Sequence, residues 1–362
     1  MSTKKINKNI ALLEYGGSHV ECMYFQILAL KNNGYNVFLI CNKSLVPRFP
    51  DLTVFDDILP LNDADKKLPY SKKLVDMTKI RRFTRKNKIN TIVINTLECR
   101  VLTNILFFPL PKVRNYVGIV HYSKYTIKSG TFKWFYRRVK KVFLLSDNLL
   151  TSIQKTSRPV TISTFYPIYF PEYTDFHIEK PEGEFWICSP GNIWKGVKDA
   201  STLLNAMSKK KLNENAKIIL LGPVEDSLKE QIKSMDDANN LIYFDSFVPQ
   251  NVLDAYLRNC DAIIPLIHSE LFNKKYGNVR ISGTYNIVYA YKKPMLLEKC
   301  VMDANSDFDN ISIPYELDNI IDVINYVSTR PKEYFTASDA LQNHPYLNIQ
   351  KQSEKYIDLI ER

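Results

Sequence analysis

Short apolar runs rich in β-branched and aromatic residues recur along the chain, and each is followed by a longer segment whose apolar residues return at helical spacing. In the first half the runs are NIALLEY, NVFLICN, TIVINT, YVGIVH and KVFLLS. Between the first two, SHVECMYFQILALKNNGY reads as a helix stopped at Asn33-Gly34, a pair suited to a helix C-terminus. Strands alternating with helices in this way predict βαβ units and a parallel sheet.

The pattern pauses at residues 164–184, where Pro167, Pro171 and Pro181 interrupt a stretch of weak periodicity. A Pro-broken stretch between two periodic regions reads as an interdomain linker. Alternation then restarts with EFWICSPGN, KIILLGP, LIYFDSF, AIIPLI and PMLLE, interleaved with helical segments such as VKDASTLLNAMSKKK. A chain of 362 residues suits two domains of about 100 to 200 residues each. The expected organisation is a first α/β lobe over 1–165, a linker over 166–183, a second lobe over 184–340 and a terminal helix within 341–362.

Composition narrows this picture. Hydrophobic residues make up 45% and charged residues 24%, a balance that buries a core and excludes a disordered chain. No apolar run reaches the roughly 20 residues that span a bilayer, and the N-terminus passes from lysines straight into a strand without a signal-peptide cleavage pattern. A cytoplasmic protein is expected. The cysteines Cys22, Cys41, Cys99, Cys188, Cys260 and Cys300 are scattered without a C-x-x-C pair, so they read as reduced core residues, with neither a metal nor a redox cofactor expected. The net charge of +11 calls for an anionic partner: nucleic acid, phospholipid headgroups or a phosphorylated small molecule.

Parallel sheets bind ligands in the loops after their strands, and four such places carry candidate chemistry. Gly16 and Gly17 follow the first strand, where paired glycines permit a tight turn and close approach of a ligand to the amides. His121 ends the YVGIVH strand, placed to donate a hydrogen bond to substrate. In CSPGNIWKGVKD, Gly191 and Asn192 end a strand and Lys195-Gly196 precede a helix, which brings an ammonium and backbone N–H groups to one gap, as a diphosphate site requires. Finally, a loop carrying His268, Glu270, Lys274, Lys275 and Arg280 leads to Ser282, Gly283 and Thr284, which open the next helix. Serine there is first of all a cap, but behind three cations the glycine also admits a phosphate oxygen.

Taken in order, these motifs resemble the GT-B glycosyltransferases, in particular glycosyltransferase family four with its bacterial polysaccharide and lipopolysaccharide transferases. The resemblance runs from the Gly16-Gly17 loop through His121 and Gly191-x-x-x-Lys195-Gly196 to AYKKP, which stands where the family has an alanine, a short gap and Gly-x-Pro. It implies two Rossmann-like doubly wound lobes facing across a cleft, a nucleotide sugar held by the second lobe and a glycan or lipid-linked acceptor by the first. It also implies a last helix, around Tyr356–Ile360, that returns to the first lobe. On this likeness the donor contacts fall on Gly17, Gly191, Asn192, Lys195, Glu270, Arg280, Ser282, Gly283 and Thr284, and catalytic roles on His121 and Lys195. Two departures stand out. Asn192 replaces an arginine common in the family, and Ile287 occupies the position of a ribose-binding glutamate, so the nucleoside is not read.

The triplets Asp63–Asp65 and Asp307–Asp309 lie in turn-like stretches, and leaving-group charge falls instead to Lys195, Arg280 and a helix dipole. Metal-independent transfer is expected, retaining by the same resemblance. Basic charge concentrates over Tyr122–Ser146, a stretch without Asp or Glu. Its Phe132, Phe135, Tyr136, Val139, Val142 and Phe143 fall at helical spacing on one side. Lys133, Arg137, Arg138, Lys140 and Lys141 are the candidate contacts to anionic lipid or a lipid-linked acceptor. Two alternatives stay open: a sugar-nucleotide epimerase on the same fold, and a basic nucleic-acid-binding protein, against which no recognised nucleic-acid module appears.

Overall fold

The computed structural model describes residues 8–16, 18–62, 69–99, 110–122, 137–150, 160–235, 238–277 and 279–362. Among them the chain forms two lobes. The first comprises Met1–Pro171, Asn278–Ile281 and Asn348–Arg362, and the second Glu172–Gly277 and Ser282–Leu347. The first stretch of the first lobe thus ends at Pro171 and its last begins at Asn348. Helix Lys332–Gln342 and the turn Pro345–Leu347 stay with the second lobe, where Ala337 is part of the core.

The first lobe is built on β1 (Asn9–Glu14), β2 (Asn36–Asn42), β3 (Asp57–Leu61), β4 (Thr91–Ile94), β5 (Asn115–Val120), β6 (Val139–Leu144) and β7 (Thr161–Thr164). They pair in the order β3-β2-β1-β4-β5-β6-β7, all parallel. The central strands are buried along nearly their whole length, as continuous apolar runs must be when helices cover both faces. Helix α1 (Glu21–Asn32) is buried at almost every position from Cys22 to Leu30, and α2 (Tyr70–Lys86) runs between β3 and β4.

The second lobe repeats the plan with β8 (Phe185–Pro190), β9 (Ala216–Pro223), β10 (Leu241–Phe244), β11 (Ala262–Ile263), β12 (Met295–Glu298) and β13 (Ser312–Tyr315). Their order is β10-β9-β8-β11-β12-β13, again parallel. Two of its helices bear on the site: α3 (Ala200–Met207) and α4 (Gly283–Tyr291). Both lobes are therefore doubly wound Rossmann-like sheets. In each the strand order reverses once beside the first strand, between β1 and β4 and between β8 and β11, and such switch points open a crevice at the carboxyl ends of the strands.

The terminal helix α5 (Ile349–Glu361) belongs to the core of the first lobe. Tyr356 is fully buried, stacks on Phe143 with ring centroids 4.7 Å apart, and meets Phe25 and Phe165 edge-on. Its hydroxyl donates to Gln26 Oε1 at 3.0 Å. This one side chain ties the last helix to α1, β6 and the residue after β7.

That packing corrects one expectation. Val139, Val142 and Phe143 do not lie on an amphipathic helix, because residues 139–144 form β6 between β5 and β7. Lys141 is not a lipid contact either: it is buried and its Nζ donates to the carbonyl of Ile360 at 2.8 Å, closing the C-terminal turn of α5 where unpaired carbonyls attract a cation. Arg137 and Lys140 are exposed. Arg138 is half-buried, with its charge near the Tyr116 hydroxyl. Lys133 lies outside the described residues, as do Asp63–Asp65 and Gly17. Among the described residues, no helix is long and apolar enough to cross a membrane.

Candidate functional site

In the second lobe, the switch point between β8 and β11 opens into a cleft of about 720 Å³ lined by Lys195, Lys198, Asp199, Glu225, His268, Glu270, Lys274 and Lys275, among others. The wall begins where β8 ends. Gly191 takes a left-handed conformation with φ of 98°, and β9 passes so near that a Cβ on Gly222 would stand 2.2 Å from the Gly191 carbonyl oxygen. Glycine at both positions lets the loop lie flat on the neighbouring strand. It then rises through exposed Asn192 to Lys195.

Backbone amides prove unavailable over much of this loop. The Lys195 amide donates to Glu225 Oε2 at 2.7 Å, and the amides of Val197 and Lys198 both donate to the Trp194 carbonyl. Attraction for an anion therefore rests on ammonium groups. Lys195 is exposed, while Lys274 and Lys275 are carried by the π-turn Phe272–Tyr276. Lys275 reaches across to the Gly196 carbonyl at 2.8 Å.

Lys198 was not singled out by the sequence pattern, yet it is the most constrained of these cations. It is buried, donates to the Pro265 carbonyl at 2.7 Å and reaches Thr284 Oγ1 at 3.3 Å. Burial pushes its ammonium down to about 7, since a low-dielectric site disfavours the charged form. Through this contact the cleft meets α4, whose first residues are the expected Ser282-Gly283-Thr284. Ser282 Oγ accepts from the Thr284 amide at 3.4 Å, so the cap role holds. Gly283 is exposed, and a Cβ built on it would meet nothing within 4 Å, leaving the helix start open to approach.

The opposite wall is held by buried polar pairs. His268 is 3% exposed. Its Nδ1 bonds Asp199 Oδ2 at 2.8 Å and its Nε2 bonds the Tyr315 hydroxyl at 2.9 Å. The hydrogen bond from His268 holds the Asp199 carboxyl well below the usual range, and Asp199 also caps α3 through the Thr202 amide. Buried Glu298, at the end of β12, accepts from the Ser269 backbone and hydroxyl and so fixes the short turn Ser269–Leu271 that carries Glu270. Half-buried Ile287 offers no hydrogen-bond acceptor on its side chain. The Asp307–Asp309 triplet is structural: the Asp307 carboxylate accepts from Tyr346 and its carbonyl from Tyr289.

The switch point of the first lobe has a different character. Glu14 is fully buried at the end of β1. It accepts from the Gly16 amide at 2.7 Å, Asn95 Nδ2 at 2.7 Å and Thr96 Oγ1 at 2.6 Å. Gly16 thus serves Glu14 instead of a ligand. Asn95 also donates to the His19 carbonyl and accepts from Gln26, which joins this network to Tyr356. Burial raises the Glu14 carboxyl above its ordinary value.

His121 lies in this network, but not as the donor expected. Its Nε2 is committed to the Asn95 carbonyl at 2.7 Å, and burial pushes the imidazole down to about 3. The ring is neutral, with Nδ1 as its remaining lone pair. Glu98 Oε1 accepts from the amides of His121 and Tyr122, both at 2.6 Å, and burial pushes its carboxyl up to about 7. Arg280, expected among the donor contacts, belongs to the first lobe, where its charge opposes protonation of His19 and His121.

His19 is the residue that sequence reasoning missed. It follows the first strand's Gly-Gly-Ser loop, takes a φ of 70°, and stacks on His121 with ring centroids 4.1 Å apart. Its Nδ1 bonds Glu21 Oε1 at 3.2 Å. Burial alone would lower its pKa, but the hydrogen bond and charge of Glu21 outweigh that and raise it. A partly exposed imidazole oriented by a carboxylate is placed to exchange a proton with a bound hydroxyl.

Comparison with solved structures places the fold. The chain is similar to HepE from Anabaena, solved in complex with UDP, at 13% identity, covering 98% of this chain and 99% of that one with a TM-score of 0.66. A glycosyltransferase from Rickettsia africae gives 14% identity, 98% coverage of both chains and a TM-score of 0.65. A UDP-N-acetylglucosamine 2-epimerase gives 12% identity over 97% of this chain and 94% of that one, with a TM-score of 0.62. The fold is the GT-B type. At these identities the likeness concerns architecture alone, and no protein-family model or curated protein matches the chain.

Proposed function

We propose that this protein is a glycosyltransferase that moves a sugar from a nucleoside diphosphate donor to an acceptor hydroxyl. The observation that carries the reading is the cleft at the β8/β11 switch point, where Lys195, Lys198, Lys274 and Lys275 line one cavity beside the open start of α4. Transfer needs the negative charge that develops on the departing diphosphate to be stabilised, and fixed cations achieve this without a metal ion. Glu270, exposed on the cleft wall, is the acceptor for donor hydroxyls. Fold neighbours solved with UDP or dTDP support a nucleotide ligand.

In this proposal the first lobe receives the acceptor. His19 Nε2 removes the hydroxyl proton, Glu21 orients the ring and stabilises the imidazolium, and His121 Nδ1 accepts a hydrogen bond from the sugar or acceptor. A dedicated base favours direct displacement with inversion over the retention that family resemblance implies. A glycan or lipid-linked acceptor, as in cell-surface polysaccharide synthesis, remains part of the proposal, with exposed Arg137 and Lys140 suited to anionic groups.

The test is incubation with a panel of nucleotide sugars, with and without oligosaccharide and lipid-linked acceptors, followed by chromatography of the nucleotide products. Transfer predicts release of nucleoside diphosphate that increases with acceptor. Conversion of the nucleotide sugar to an isomer without acceptor would instead identify an epimerase, and an inert panel with tight salt-sensitive RNA binding would overturn both.

A further inference from the structure

We propose that His19, Cys22 and His121 form a binding site for one thiophilic divalent metal ion of the zinc class. The three residues converge from different elements: His19 precedes α1, Cys22 lies in its first turn, and His121 follows β5. One ligand atom from each lies within 4.8 Å of the other two. Sequence reading takes Cys22 as a core residue with no histidine at metal spacing and so passes over His19-x-x-Cys22; the third member comes from a distant strand end and only the fold supplies it.

Hydrogen bonding outside the cluster prepares both rings. The Glu21 carboxylate holds His19 Nδ1, leaving Nε2 as a lone pair, and the Asn95 carbonyl holds His121 Nε2, leaving Nδ1. A carboxylate or carbonyl on the far nitrogen is the usual support of a metal-bound histidine, since it fixes the tautomer and raises ligand basicity. The left-handed backbone at His19, held by Asn95 Nδ2 donating to its carbonyl at 2.9 Å, places its ring beside His121.

A tetrahedral ion with bonds of about 2.0 to 2.3 Å needs its donors roughly 3.5 Å apart. With the donors up to 4.8 Å apart and the two rings stacked, binding requires the partly exposed His19 ring to turn out of the stack toward buried Cys22 and His121. Binding releases the Cys22 thiol proton to solvent, and the resulting two imidazoles and one thiolate select zinc or cobalt over magnesium or calcium, which prefer oxygen ligands. Three protein ligands leave a fourth position for water or a substrate oxygen. Occupancy takes the His19 lone pair that the proposed transfer uses, so the ion and proton abstraction compete; that consequence alone rests on the functional reading.

Cobalt(II) is the probe, because a cobalt–thiolate bond gives a near-ultraviolet charge-transfer band that reports Cys22 directly and without any activity assay. The full chain carrying Cys300→Ser, which removes the one exposed thiol, is freed of metal with a chelator and titrated with cobalt chloride. The site predicts a band that saturates at about one equivalent and is bleached by zinc. Cys22→Ser abolishes the band, His121→Gln and His19→Gln each weaken binding at least about tenfold, and Cys41→Ser, at another buried thiol of the same lobe, leaves it intact. Melting curves identify any variant that fails to fold, and the partly exposed His19→Gln then decides. Absence of the band, its persistence in Cys22→Ser, or unchanged affinity in both histidine variants overturns the proposal.

Discussion

The switch points of the two sheets occupy equivalent places in the same topology and carry opposite chemistry. At the end of β8 and β11, four lysines line an open cleft, and the acidic residues beside them are largely occupied: Asp199 by His268 and Glu225 by the Lys195 amide. At the end of β1 and β4, a buried carboxylate, an asparagine and two stacked histidines form a network with little exposed charge. Topology fixes where a ligand binds, and the side chains decide which ligand it is. The cationic cleft suits a diphosphate, and the histidine pair suits a hydroxyl or a metal.

The largest effect expected from breaking this contrast is on catalysis. His19→Ala should slow transfer by about 10²- to 10⁴-fold, the usual worth of a positioned base, while affinity for nucleoside diphosphate stays unchanged. Steady-state kinetics beside calorimetric titration reads both quantities, and a parallel loss of nucleotide affinity would show that the lobes do not divide the work.

The next effect concerns stability. Tyr356→Phe keeps the aromatic packing of the first lobe but leaves Gln26 Oε1 buried without its donor. An unsatisfied buried acceptor costs about 1 to 3 kcal/mol, so urea unfolding should shift by that amount. The second lobe shares none of these contacts, and its nucleotide affinity should be unaltered.

A smaller effect tests the lysine cleft through protons. Lys198 titrates near 7 because burial disfavours its charge, and a bound diphosphate restores that charge by attraction. At pH 8, where Lys198 is mostly neutral in the unliganded protein, binding should take up a proton, and uptake should fall away below about pH 6, where it is already protonated. Calorimetry in buffers of different ionisation enthalpy measures this uptake, and Lys198→Met should abolish it.

Strands were legible because buried parallel strands are written as continuous apolar runs, and ALLE and IILLG admit little else. The stretch at Val139–Phe143 misled because its apolar positions satisfy a helical period as well as a strand between two neighbours, and nothing local marks Lys141 as a helix cap. Lys195 lines the cleft and Ser282 caps α4, positions that their place after strands makes readable. Lys198, two residues beyond a glycine, reads as solvated until the Pro265 carbonyl and Thr284 are seen around it. The His19, Cys22 and His121 group was hidden for a related reason: a strand-end histidine and a helix-start histidine are unremarkable apart, and only the sheet order brings them into contact.

The central claim is that the second lobe binds a nucleoside diphosphate through its lysine cleft. Thermal-shift measurement with a panel of nucleoside diphosphates on wild type and Lys195→Ala tests it most directly. The account predicts that at least one nucleotide raises the melting temperature of the wild type, and that loss of one charge-assisted contact, worth about 1.5 to 3 kcal/mol, weakens that binding roughly tenfold or more. No stabilisation by any nucleotide, or an equal shift in the variant, would contradict it.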